Sequence, residues 1–286
     1  TATTDARANG TISYSDATAP TVATGTGFTS SSSDGNYGLG ANINITATMS
    51  EAVILGSSFT VTLGTTDEIV LTASGDPSGT TLTGTYTIGA NDNASDLAIS
   101  SFVAGTVTDV YGNTMTSTSI PSGENFSDNQ AIAVDTTAPT ATITSTAYNP
   151  SSGVMTLTGT NLQTLNVSSP SSTDHKTYLD WSKFVWDING DGSTTADKTF
   201  AQSDITSVTA ANASTMAITL TSSAKTALNG TTGFAAIGGS DTLDVTAGFI
   251  RDIFGNTATT DARANGVVSY SDTTAPTVAT GTGFTS

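Results

Sequence analysis

The sequence predicts an all-β protein of two tandem β-sandwich domains joined by short, stiff linkers. Three observations carry that reading. Apolar residues alternate with Thr, Ser and Asn in short runs, and clusters of Gly, Asp and Asn cut the runs to strand length. One punctuation mark, Asp-Ala/Thr-Thr-Ala-Pro-Thr, recurs at 16–21, 135–140 and 272–277. Its proline fixes φ and pushes the residue before it towards extended backbone, as a linker entering a first strand requires.

Between the first two marks, strands are expected at 21–28, 41–49, 58–63, 68–74, 80–88, 99–108 and 131–135. Alternation is clearest at Ile43, Ile45, Ala47 and Met49 and at Leu82, Tyr86 and Ile88. Turn residues at 33–36, 75–79 and 91–93 separate these runs. Seven short strands in about a hundred residues predict an immunoglobulin-like sandwich. Residues 136–272 follow the same plan, with strands at 140–147, 154–159, 177–188, 205–211, 215–220, 242–250 and 267–271 and a short capped helix at 222–228.

Residues 257–286 repeat residues 1–30 at 27 of 30 positions, a period of 256. The chain is therefore read as one full unit of a tandem array plus the start of the next. On this reading 1–15 is the last strand of a preceding repeat, 16–135 and 136–272 are the two domains, and 273–286 opens the following repeat. An array stacks one module to gain length, which favours a long structural or adhesive protein over a discrete catalyst.

The formal charge is −17 and unevenly shared. Residues 16–135 hold twelve acids and no Lys or Arg, whereas 136–271 hold ten acids and six bases. Carboxylates without bases repel one another unless a hard cation sits among them, and Ca2+ with its oxygen ligands is the natural candidate. The bland alternative is a solvated acidic surface that keeps the protein soluble. The same charge argues against nucleic acid and anionic membranes as partners. No run approaches the roughly 20 apolar residues that span a bilayer, and the absence of cysteine leaves the modules without disulfides.

Two patterns point to calcium. In 187–197, Asp187, Asn189 and Asp191 stand at positions 1, 3 and 5 of an EF-hand-like loop with Gly192 at position 6. Position 12 is Lys198 where a bidentate Glu would close the site, and Asp197 at position 11 is the substitute. An Asn/Gly-rich hairpin turn is the alternative reading. The second pattern follows from sandwich topology, in which alternate loops share a pole. It gathers Asp16, Glu51, Asp109 and Asn113 at the entrance to the first domain, and Asp135, Asp252 and Asn256 at the entrance to the second. Asp34, Asp92 and Asp96 fall at the first domain's exit pole. The alternative is that each Asp-x-x-Gly-Asn motif, at 109–113 and 252–256, is a β-turn whose Asp caps its own backbone.

Enzymatic readings find little support. His175 is the single histidine and is read as an exposed loop residue; no nucleophile elbow or phosphate-cradling loop is present. Among the clustered aromatics, Tyr178, Phe184 and Trp186 share one parity of the expected strand 177–188. Trp181 lies on the other and is the candidate for an exposed partner or carbohydrate contact.

The joints, the 49–53 turn Met-Ser-Glu-Ala-Val, the 93–97 run Asn-Ala-Ser-Asp-Leu and the two Asp-x-x-Gly-Asn motifs together resemble the immunoglobulin-like tandem repeats of giant bacterial surface proteins: adhesins, biofilm matrix proteins and S-layer proteins. The resemblance covers 16–135 well and 136–272 mainly at its joints and its Asp-x-x-Gly-Asn motif. It implies a non-catalytic, extracellular spacer, often with calcium at the joints. Adjacent repeats of the same chain are the expected partners, with head-to-tail or lateral self-association. A carbohydrate-binding module and a lattice or filament subunit are the competing roles.

Overall fold

Alternating burial generates the strands of the first part of the chain. In β3 (Asn42–Thr48) Ile43, Ile45 and Ala47 are fully buried while the intervening residues are partly exposed. The computed structural model describes residues 15–74, 79–162, 175–190, 192, 198–235 and 241–271. The chain divides after Thr136 into two compact units. Both are all-β in character, with only short helices between strands.

In the first unit, β1 (Phe28–Thr29), β2 (Gly35–Tyr37) and β3 precede β4 (Ser58–Leu63), β5 (Glu68–Thr72), β6 (Thr81–Thr87), β7 (Ile99–Val103) and β8 (Ile132–Val134). Six of them form one antiparallel sheet in the order β1-β3-β6-β5-β4-β7. The second and last strands pair separately, β2 running parallel to β8 with Gly35 opposite Ile132. The core stacks Phe28, Phe59 and Phe102, with ring centroids 5.2–6.3 Å apart. A single turn of helix, α1 (Phe126–Asn129), is held by Asn125, whose Oδ1 caps it and also accepts from the Ile99 amide.

The second unit begins with β9 (Thr142–Asn149) and β10 (Val154–Thr160). It continues through β11 (Phe184–Asp187), β12 (Lys198–Thr199), β13 (Ile205–Asn212), β14 (Thr215–Leu220), α2 (Ser222–Asn229), β15 (Thr242–Val245) and β16 (Arg263–Tyr270). All eight strands make one sheet, β12-β11-β15-β16-β9-β10-β14-β13. Among the described residues its one parallel pair joins the unit's first and last strands, β9 with β16. Thr221 caps α2 through the Ala224 amide.

Four expectations need correction. The span 177–188 is not one strand: 3-10 turns at His175–Tyr178 and Trp181–Lys183 precede a four-residue β11. The Asp180 carboxylate caps the second turn through the Ser182 amide, which breaks the period of two. Trp181 is consequently not an outward residue: it is buried, donates Nε1 to the Lys176 carbonyl and packs on Phe184 and Phe249. His175 is fully buried rather than in an exposed loop. The expected strand 99–108 ends at Val103, because the chain turns through Gly105, where φ is +59°.

Candidate metal centre

The two Asp-x-x-Gly-Asn motifs fold into the same closed turn. Asp109 Oδ1 accepts the amides of Tyr111 and Asn113, both at 2.8 Å, and Oδ2 accepts Asn113 Nδ2 at 2.7 Å. Asp252 repeats the pattern with the Phe254 amide, the Asn256 amide and Asn256 Nδ2, each at 2.9 Å. The glycine is obligatory, since φ is +94° at Gly112 and +88° at Gly255. Isolated bridges, Thr108 to Thr114 and Arg251 to Thr257, close the base of each turn. The Asp of each motif thus caps its own backbone, and each Asn holds a carboxylate through its amide nitrogen.

What surrounds the turns differs. In the first unit Val53 bridges to Asp109, and the Ile54 amide donates to the Thr108 carbonyl, which brings the 50–54 loop against the motif. The Ser50 amide donates to the Thr21 carbonyl and Ser50 Oγ accepts from the Thr21 amide, tying that loop to the entering chain. Asn113 Nδ2 reaches the Asp16 carbonyl at 3.1 Å. The result is convergence: oxygens of Asp16, Glu51 and Asp109 all lie within 4.8 Å of one another. Among the described residues this is the one such group of three.

The electrostatics are those of crowded acids. Glu51 is pushed above the usual carboxylate range by partial burial and by the negative charges of Asp16 and Asp109. For Asp109 burial acts in the same direction, but hydrogen bonds from the Asn113 side chain and from the amides of 111–113 outweigh it and bring it below the usual range. One carboxylate is held ionised by the turn and its neighbour bears the repulsion. In the second unit Arg251, at the position of Thr108, instead forms an ion pair with Asp180 at 2.5 Å. Hydrogen bonds to Ser182 and this guanidinium hold Asp180 below its ordinary value.

Asp135 belongs to the first unit and Asp252 and Asn256 to the second. Asp34, Asp92 and Asp96 are not brought to one place. Asp34 is exposed and caps the Ala131 amide; Asp96 is exposed; Asp92 is buried, its Oδ2 accepting the Tyr86 hydroxyl and the Gly89 amide, both at 2.6 Å. Asp92 therefore serves its own loop. In the 187–197 loop Asp187 is fully buried and accepts the amides of Asn189, Gly190 and Gly192. Positions 191 and 193–197, including Asp191 and Asp197, lie outside the described residues.

Three buried acids escaped sequence reading. Glu124 accepts the Gly25 amide, Asp241 accepts Trp186 Nε1 at 3.0 Å and the Tyr270 hydroxyl, and Asp261 accepts the amides of Gly248 and Ile250. The one available signal was that Asp261 recurs as Asp5 in the repeat.

No protein-family model and no curated protein matches this chain. No helix among the described residues is long and apolar enough to cross a membrane.

Proposed function

We propose that this chain is a non-catalytic structural segment of a long, extracellular bacterial surface protein, made of immunoglobulin-like sandwiches and stiffened by calcium where the chain enters a domain. The observation that carries the reading is the convergence of Asp16, Glu51 and Asp109. Asp16 belongs to the recurrent linker mark, so an ion held there ties the linker to two loops of the domain it enters. Three carboxylates with no Lys or Arg in residues 16–135 suit a hard cation that takes six to eight oxygen ligands at 2.3–2.6 Å. Calcium would be bound by these carboxylates, with Asn113 orienting Asp109 and Asp16 rather than acting as a ligand.

The strand orders support the sandwich reading. The second sheet reads C′-C-F-G-A-B-E-D in immunoglobulin terms, with its first and last strands in parallel contact, and the first reads A-B-E-D-C-F, with β2, the strand after A, in parallel contact with the last strand. The 256-residue period supports a tandem array, and the resemblance to surface-protein repeats supports the extracellular location. Burial of Trp181 removes the residue that favoured a carbohydrate-binding role.

Calorimetry of the whole chain in excess calcium and in excess chelator tests the proposal. A calcium-dependent rise in melting temperature that Asp16→Asn and Glu51→Gln abolish is expected. Superimposable transitions in the two conditions would refute it.

A further inference from the structure

We propose that an apolar patch on the first unit, formed by Ile54, Leu55, Val110 and Tyr111, is a docking surface for a second copy of this sequence: the end of the second unit in the repeat that precedes it in the array. Docking of this kind presupposes the tandem array proposed above and is independent of calcium. These four are among the nine large apolar side chains exposed among the described residues, at 42%, 61%, 50% and 54% respectively. The Ile54 amide donates to the Thr108 carbonyl and Val53 bridges to Asp109, which sets the two pairs on adjoining loops. The turn itself does not need them. Its bonds are made by the Asp109 carboxylate, the Asn113 side chain and backbone amides, so polar side chains would serve at the two corner positions, yet these hold Val and Tyr. Exposed apolar side chains gathered in one place mark a contact surface, whereas single scattered ones do not.

The sequence repeat identifies the occupant. Ser271-Asp272 restates Ser15-Asp16, so in the array the residue after Ser271 is the one that enters the next first unit. The Ser271 amide donates to the Tyr148 carbonyl at 2.9 Å, which anchors it to β9, and the Asp16 carbonyl accepts Asn113 Nδ2 at 3.1 Å. Two consecutive residues are thus anchored in different units. Because a residue spans at most about 3.6 Å, the Tyr148 carbonyl oxygen of one repeat and Asn113 Nδ2 of the next lie within about 13 Å of each other. The end that the chain leaves is apolar too. Tyr270, one residue before the anchor, is 37% exposed and packs edge-on against the half-buried Phe234, with ring centroids 5.5 Å apart. Four side chains are few against the roughly 20 to 30 residues a side of a stable interface between free proteins. Docking therefore depends on the tether, which raises the effective concentration of one end at the other.

The absence of native cysteine permits a labelling test. A chain of two consecutive repeats, residues 1–271 continued by 16–286, carries Leu55→Cys in either its first or its second repeat, and the rate of reaction with a thiol reagent is measured. Docking should slow labelling in the second repeat about tenfold relative to the first, because only there does a second unit stand ahead of the patch. Tyr111→Cys at the same two places should behave alike, and adding Tyr111→Ser beside Leu55→Cys in the second repeat should restore fast labelling. Val70→Cys, at a position in β5 that is 56% exposed, should label equally in both repeats. Equal rates for Leu55→Cys and for Tyr111→Cys in the two repeats overturn the proposal. Protection in the single 286-residue chain that grows with concentration also overturns it, since a neighbouring chain would then be covering the patch from the side. All arms run in chelator, so this result and the calcium-dependent melting temperature can fail separately.

Discussion

Asn113 donates its side-chain amide to the Asp109 carboxylate at 2.7 Å and, through the same nitrogen, to the Asp16 carbonyl at 3.1 Å. One side chain therefore fixes both the turn and the linker that crosses it. The equivalent pair, Asn256 with Asp252, closes its own turn identically. The self-closed turn is common to both copies of the motif, and in the first unit the carboxylates of Asp16 and Glu51 stand beside it.

Glu51 should show opposite effects with and without calcium. Its pKa is raised in the fold, so its contribution is fully present below its unfolded value and is lost as pH rises through the folded value. At neutral pH without calcium its charge is a cost, and Glu51→Gln should stabilise the first unit, by less than about 1 kcal/mol at this partly exposed position, and so raise its melting temperature. With calcium the same substitution removes a ligand and should lower it. Asp109 has the opposite pH sign: its contribution is present above the ordinary value of 3.8 and is lost as pH falls through the lowered one. Calorimetry from pH 3 to pH 7 in chelator should show both limbs, and a Glu51→Gln shift of the same sign in both media would contradict this account.

Tryptophan fluorescence should report the second unit alone. Both tryptophans, Trp181 and Trp186, lie there and are buried. Emission of the native chain should be blue-shifted and resist iodide quenching, and it should redden in one unfolding transition. Glu51→Gln should leave that transition in place while shifting the calorimetric one. Ready quenching in the native state would mean that a tryptophan faces solvent.

The sequence made visible whatever depends on periodicity and failed where side chains cap backbone. Runs with clean alternation, such as Ser58–Leu63 and Thr215–Leu220, are strands at their expected bounds. Grouping of Asp16, Glu51 and Asp109 was also legible, because alternate loops of a sandwich share a pole. The break in 177–188 was not, since its signal is one Asp180 carboxylate competing with the ladder. Nor was inward use of Asp92, which depends on a hydroxyl six residues away in sequence on a neighbouring strand. Residues 35–37 carry turn letters, yet form β2 because β8 offers a parallel partner.

Asp261 should be among the costliest single positions in the second unit. Its oxygens satisfy the buried amides of Gly248 and Ile250 at 2.9 and 2.7 Å. Asp261→Ala orphans both donors and should cost about 2 to 4 kcal/mol in denaturant unfolding followed by tryptophan emission. Asp261→Asn keeps one acceptor oxygen and should recover part of that loss. A loss below the scatter of surface substitutions would show that water replaces the carboxylate there.

Alkaline conditions should unfold the second unit through two phenols held above their ordinary value, those of Tyr148 and Tyr270. Tyr148 is fully buried, its hydroxyl donating to Asn229 at 3.1 Å, and burial pushes it up to about 12. Tyr270 is raised further still, by burial and by donating to the Asp241 carboxylate. Both folded values exceed the unfolded one of 10.0, so the stability they contribute is complete below pH 10 and is lost as pH rises through the folded values. Tryptophan emission should therefore redden in the interval from pH 10 to about 12. Tyr148→Phe, which has no proton to lose, should move the onset to higher pH even though it forfeits the bond to Asn229. If all seven tyrosines ionised together near pH 10 while tryptophan emission stayed unmoved, the phenols would be accessible in the folded chain and the core around Tyr148, Trp186 and Tyr270 would be looser than its packing implies.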